Sequence, residues 1–137
     1  MKSAIVWKLL LVALLMLLVP LAVAQKQPAP KYDLANEIKI KGTVEEVKSM
    51  GTQEPKETHL VLRTDKGLVE ICLCPAKFLT EMDMSFAKGD KLDITGAKAK
   101  DAIDGSEVIL AREVVRGDSS LVLRDKTGGP VWTWMMK

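Results

Sequence analysis

An all-β domain is the fold class that the chain predicts from residue 37 onward, and three observations carry it. Five apolar runs of strand length follow one another, the one run with helical spacing falls between the third and the fourth, and compact glycine-containing turns separate them. Strand, strand, strand, helix, strand, strand is the order of a five-stranded closed barrel of the OB type, with one short helix between strands 3 and 4. Closure removes most exposed strand edges, which suits a small exported protein. An open antiparallel sheet carrying one helix is the plainer alternative.

The first 24 residues read as an export signal. Lys2 and Lys8 form a basic start, Leu9 to Val19 is an unbroken apolar core, and Ala22-Val23-Ala24 is a small-x-small cleavage site before Gln25. Pro20 and the small residues after it favour cleavage over retention as a membrane anchor. No cysteine follows the cleavage site, so a lipid anchor is not expected, and the mature protein is expected to be periplasmic or secreted. Residues 25–36, with Pro28 and Pro30, read as an extended leader that gives reach rather than structure.

Ile38, Ile40, Val44 and Val47 mark strand 1, where Gly42 lets a long strand bend sharply. Leu60, Val61 and Leu62 mark strand 2, and Leu68, Val69, Ile71 and Leu73 mark strand 3, with Thr64-Asp65-Lys66-Gly67 as a tight hairpin turn between them. The helix spans Pro75 to about Met84: Pro75 suits a first turn, and Phe78, Leu79 and Met82 share a face, with Phe78 as a plug for the barrel end. Lys88-Gly89-Asp90 leads into strand 4 (Leu92, Ile94), and Asp104-Gly105 separates it from strand 5 (Val108 to Val115). Residues 37–117 make the barrel. Residues 118–137 add a sixth strand at Ser120 to Asp125, a turn at Lys126 to Gly129 and an apolar tail from Pro130. In an extended tail Trp132 and Trp134 share one face, either sealing the open end of the barrel or anchoring a partner.

The blocks Ile40-Lys41-Gly42-Thr43-Val44, Thr58 to Thr64, Lys88 to Gly96 and Val108 to Val114 resemble those of secreted and periplasmic bacterial OB-fold proteins, related in pattern to the anticodon-binding type of OB domain. The likeness covers roughly residues 37–115. It implies the fold and leaves the ligand open, because OB barrels carry many unrelated sites; exported versions are thought to bind small ligands, ions or protein partners.

Charge narrows the function. The whole chain has 20 Lys plus Arg and 18 Asp plus Glu; Lys2 and Lys8 leave with the signal, so the mature part has 18 of each. A phosphate-binding surface normally needs a basic surplus. Strands 2 and 3 also carry no Phe, Tyr or Trp on which bases could stack, so single-stranded nucleic acid is an alternative by fold analogy only. Catalysis is not expected, since the single histidine, His59, has no acid–base or nucleophilic partner at recognisable spacing.

Cys72-Leu73-Cys74 is the other unusual feature. Residues two apart on a strand point to one face, so two sulfurs could act together, while a disulfide between them would be strained. With a two-residue loop at Asp65-Lys66, His59 stands opposite Cys72 and a Cys72, Cys74, His59 trio suits copper or zinc; with a bulge at Gly67, Leu60 stands there instead. Packing as small apolar residues, or disulfides within or between chains, are the plainer roles. The expected function is a non-catalytic exported binding module for a protein partner or small ligand, with Arg63, Glu70, Trp132 and Trp134 as ligand-binding residues. Copper or zinc binding is the second reading.

Overall fold

The computed structural model describes residues 30–102 and 104–135; the export signal and the start of the leader lie outside the described residues. The strands are β1 (Glu37–Met50), β2 (Glu57–Thr64), β3 (Gly67–Pro75), β4 (Lys91–Lys100), β5 (Glu107–Arg116) and β6 (Ser119–Val122), with the helix α1 (Ala76–Glu81) between β3 and β4. Hydrogen-bonded neighbours run β3-β2-β1-β4-β5-β6, and a parallel pairing of β3 with β5 brings the two sides together. The five-strand OB order is therefore what forms, with the expected extra strand. Closure is slight: among the described residues only Ile71↔Ile109 and Cys72↔Leu110 pair across that seam. At the other half of β5, Glu113 to Arg116 pair with β6.

β1 serves both halves of the barrel. Its residues Glu37 to Thr43 pair with β4, and Thr43 to Met50 pair with β2, with a register shift between Val44 and Glu46. Gly42 sits at the changeover, where a Cβ would lie 2.5 Å from the Arg63 carbonyl oxygen and 2.7 Å from Leu62 Cγ. Only the absence of a side chain lets the two strands approach so closely.

Leu60, Leu62, Ile71, Leu73, Ile94, Val114 and Leu123 fill the interior. Phe78 and Leu79 of α1 plug one end, and Phe78 meets Trp132 with ring centroids 5.9 Å apart. The helix is shorter than its sequence pattern: it stops at Glu81, and Asp83 takes a left-handed φ of 51°. Met82, expected on the buried face, is an exposed cap instead.

The tail also departs from expectation. Arg124 bridges to Pro130 and Thr133–Met135 form a single 3-10 turn, so Trp132 and Trp134 do not share an extended face. Trp132 is buried against the core, whereas Trp134 is 55% exposed.

The leader is structured from Tyr32 on, contrary to its reading as a mere spacer. Tyr32 is buried with Cys72, Ala97, Val108 and Leu110 in a second, smaller cluster outside the barrel core. Its hydroxyl donates to Glu37 at 2.6 Å, and the same carboxylate accepts from Arg112 Nε at 2.9 Å and Nη2 at 3.0 Å. The Arg112 hydrogen bond, reinforced by Tyr32, holds Glu37 below the usual carboxylate range, while burial and Glu37 push the Tyr32 phenol up to about 12. A carboxylate with a depressed folded-state pKa contributes stability that is present above its unfolded pKa and is lost as pH falls through the folded value. Melting temperatures followed from about pH 7 to about pH 3 are therefore expected to decline less steeply in Glu37→Gln than in the wild type; parallel curves would remove this anchor from the acid response.

Candidate functional site

Alternation along a strand places Glu57, His59, Val61 and Arg63 of β2 on the outer face, against Leu68, Glu70 and Cys72 of β3. Thr64 pairs with Gly67 across the two-residue loop, and the register runs back from there to His59 opposite Cys72. Thr64 Oγ1 supports the turn by donating to the Gly67 carbonyl at 2.8 Å. The face expected to hold the site is thus formed, with His59 next to Cys72.

Cys74 leaves that face. Thr58 pairs with Cys74 while His59 pairs with Cys72, so Leu73 is an extra residue and the alternation breaks. Cys74 turns into the main core, and Cys72 packs in the outer cluster with Tyr32. The two sulfurs therefore do not act together, and neither is in a disulfide. Burial, followed by the Glu57 charge, pushes Cys74 up to about 12 and Cys72 higher still, so both remain thiols at neutral pH.

Carboxylates surround His59 in place of thiols. The ring is fully buried. Its Nε2 lies 3.4 Å from Glu57 Oε2, and its Nδ1 lies 3.7 Å from both Glu70 Oε2 and Asp101 Oδ2. Asp101 arrives from the loop between β4 and β5, folded inward by its own N–H donating to the Ser106 carbonyl at 2.7 Å and by its carbonyl accepting from Gly105 at 2.9 Å. Desolvation pulls the His59 pKa down, but the Glu57 hydrogen bond and the charges of Asp101 and Glu70 outweigh it and raise it. Among the described residues Nδ1 nevertheless has no hydrogen-bond partner. His59 thus has the acidic neighbours that sequence spacing did not reveal. Glu57 was legible in principle, two residues before His59 on one strand face; Asp101, 42 residues further on, had no local signal.

The other expected site residues are dispersed. Arg63 is exposed and pairs with Glu45. Glu70 is held through its other oxygen by Lys48 at 3.0 Å. Trp132 faces the Arg124 guanidinium at 5.4 Å, and the Tyr32 ring lies 5.6 Å from the same group. Leader and C-terminal segment so cover the β3–β5 seam, and a Cβ at Gly128 would come within 2.6 Å of the Tyr32 ring.

Beside the β2–β3 hairpin a cleft of about 970 Å³ opens, floored by Ile38, Ile40, Val69 and Ile109 and rimmed by Lys39, Lys41, Lys66 and Lys98. Leu68 stands at its lip, 66% exposed. Glu70 borders both the cleft and the His59 cluster.

The profile of the MamS/MamX magnetosome protein family matches residues 36–121, from the start of β1 to within β6. The chain belongs to this family. The MamS/MamX assignment covers the whole barrel. No curated protein matches the chain. Among solved structures, a chain of the S. pombe Stn1-ten1 complex is similar at 12% identity, covering 83% of this MamS/MamX protein and 89% of its own length, with a TM-score of 0.41.

Proposed function

We propose that this MamS/MamX protein is a non-catalytic binding module, working outside the cytoplasm, that holds an extended segment of a partner protein in the cleft beside the β2–β3 hairpin. One observation carries the reading: β3 has a strand edge without a partner along the cleft. Gly67 to Glu70 pair with β2 on one side, and among the described residues no strand pairs with their other edge, because β5 joins β3 only at Ile71 and Cys72. A free edge offers a row of backbone donors and acceptors to an incoming strand, and the neighbouring apolar floor offers pockets for alternate side chains. Lys39, Lys41, Lys66 and Lys98 line the cleft together with Asp65, Glu70 and Glu107, so its charge is mixed and a segment that carries both signs would suit it. The family's connection with the magnetosome and the export signal read from residues 1–24 support a non-cytoplasmic setting.

A photo-crosslinking residue at position 68, introduced into the full chain in its own host, is expected to trap a discrete protein adduct. The same residue at Val122, also exposed (50%) but on β6, is expected to trap none. Leu68→Asp carried together with a crosslinker at position 66 should lose the adduct while the melting temperature stays within a few degrees. Equal trapping at positions 68 and 122 would remove the cleft as the binding face.

A further inference from the structure

We infer that His59, Glu70 and Asp101 form a binding site for one divalent first-row metal ion, with no sulfur in its coordination shell. The three ligand atoms, His59 Nδ1 and one carboxylate oxygen each from Glu70 and Asp101, lie within 4.8 Å of one another. The 3.7 Å from Nδ1 to each oxygen is too long for a hydrogen bond. It is close to the separation of two atoms that share an ion, since ligands about 2.1 Å from a tetrahedral centre stand about 3.4 Å apart.

An independent observation points into the same space. His59 Nδ1 is a fully buried polar atom with no hydrogen-bond partner among the described residues, an arrangement that normally costs free energy and asks for an occupant. The two ring nitrogens face different carboxylates. Nε2 lies 3.4 Å from Glu57, and with its proton donated there Nδ1 is the nitrogen that faces Glu70 and Asp101, where a metal ion would take the place of the second proton that these carboxylates favour on the free ring. A carboxylate behind the far nitrogen is the usual arrangement that orients a metal-bound histidine. Glu70 is likewise steadied from behind by Lys48, on the oxygen that does not face His59.

A second grouping, Glu57, His59 and Cys72, lies on the Nε2 side. It fits an ion less well, because Cys72 Sγ is turned toward Glu57 at 3.7 Å as a donor, and Glu57 is already engaged with the ring. One imidazole and two carboxylates suit Zn²⁺ or Mn²⁺ and give no preference to cuprous ion, which favours thiolate and thioether. Three protein ligands leave room for water in the remaining positions.

Calorimetric titration of the chelator-treated protein with zinc chloride, and separately with manganese chloride, tests the site. The expected result is one equivalent of at least one of the two ions bound with a Kd below about 10 μM, weakened at least about tenfold in Asp101→Asn and in Glu70→Gln. Cys72→Ser and Cys74→Ser should leave it within about threefold of the wild type. Circular dichroism melts identify any variant that fails to fold. X-ray absorption of the zinc-loaded or manganese-loaded wild type gives a readout that needs no variant, with nitrogen and oxygen neighbours expected and sulfur absent. No saturable stoichiometric binding of either ion would overturn the assignment. So would a sulfur neighbour, or binding that survives Asp101→Asn and is lost in Cys72→Ser.

Discussion

Replacing Gly42 with alanine is expected to lower stability by about 3 kcal/mol or more, enough to shift the melting temperature of so small a domain by more than about 10 °C. The added Cβ would lie 2.5 Å from a backbone oxygen of β2 and 2.7 and 2.9 Å from Leu62 Cγ and Cδ2. Leu62 is fully buried, and the Arg63 carbonyl belongs to the strand that pairs with β1, so neither can yield without parting the sheet. Gly89→Ala is the comparison that separates space from dihedral preference. Its Cβ would meet nothing within 4 Å although its φ is +97°, so a cost nearer 1 kcal/mol is expected. Similar melts for the two variants would show that close packing at the β1 changeover is not what Gly42 supplies.

Trp132→Ala is expected to cost about 3 to 5 kcal/mol, while Trp134→Ala stays within about 0.5 kcal/mol. Trp132 closes the barrel against Phe78 and covers the half-buried Arg124 guanidinium, whose Nε is buried with no hydrogen-bond partner among the described residues. Its loss empties part of the core and uncovers one side of that cation. Trp134, two residues on, is exposed because the 3-10 turn directs it away. Denaturant unfolding of both variants decides the matter; an equal loss would mean that both rings seal the barrel.

The barrel was legible because its signals are local or periodic. A two-residue turn at Asp65-Lys66 sets the register that brings His59 opposite Cys72, and the single helical run falls where an OB barrel requires it. The trio with Cys74 was misread because one extra residue, Leu73, reverses the face of everything after it, and nothing in the Cys-Leu-Cys spacing announces a bulge. Asp101 joins the site only through the fold of its loop, so spacing along the chain carried no information about it. Tyr32 was hidden by its neighbours: prolines and lysines around it look like a linker, yet one aromatic ring with a Glu37 and an Arg112 within reach is sufficient to dock the segment. The tail was misjudged for the opposite reason, since an apolar run near the chain end reads equally well as a strand or as a turn that caps a core.

The slightness of the closure has a mechanical consequence. Two rungs hold β3 to β5, where other neighbouring strands share longer ladders, so this is where the cylinder parts first when it breathes. His59 and Glu70 stand on one bank of that opening, and Asp101 hangs from the loop that leads into β5 on the other. Whatever spans the three side chains is therefore a rivet across the weakest joint. Occupancy of the cluster and tightness of the cylinder become one quantity, and a change at a few buried oxygens is felt along the free edge of β3 where the cleft begins.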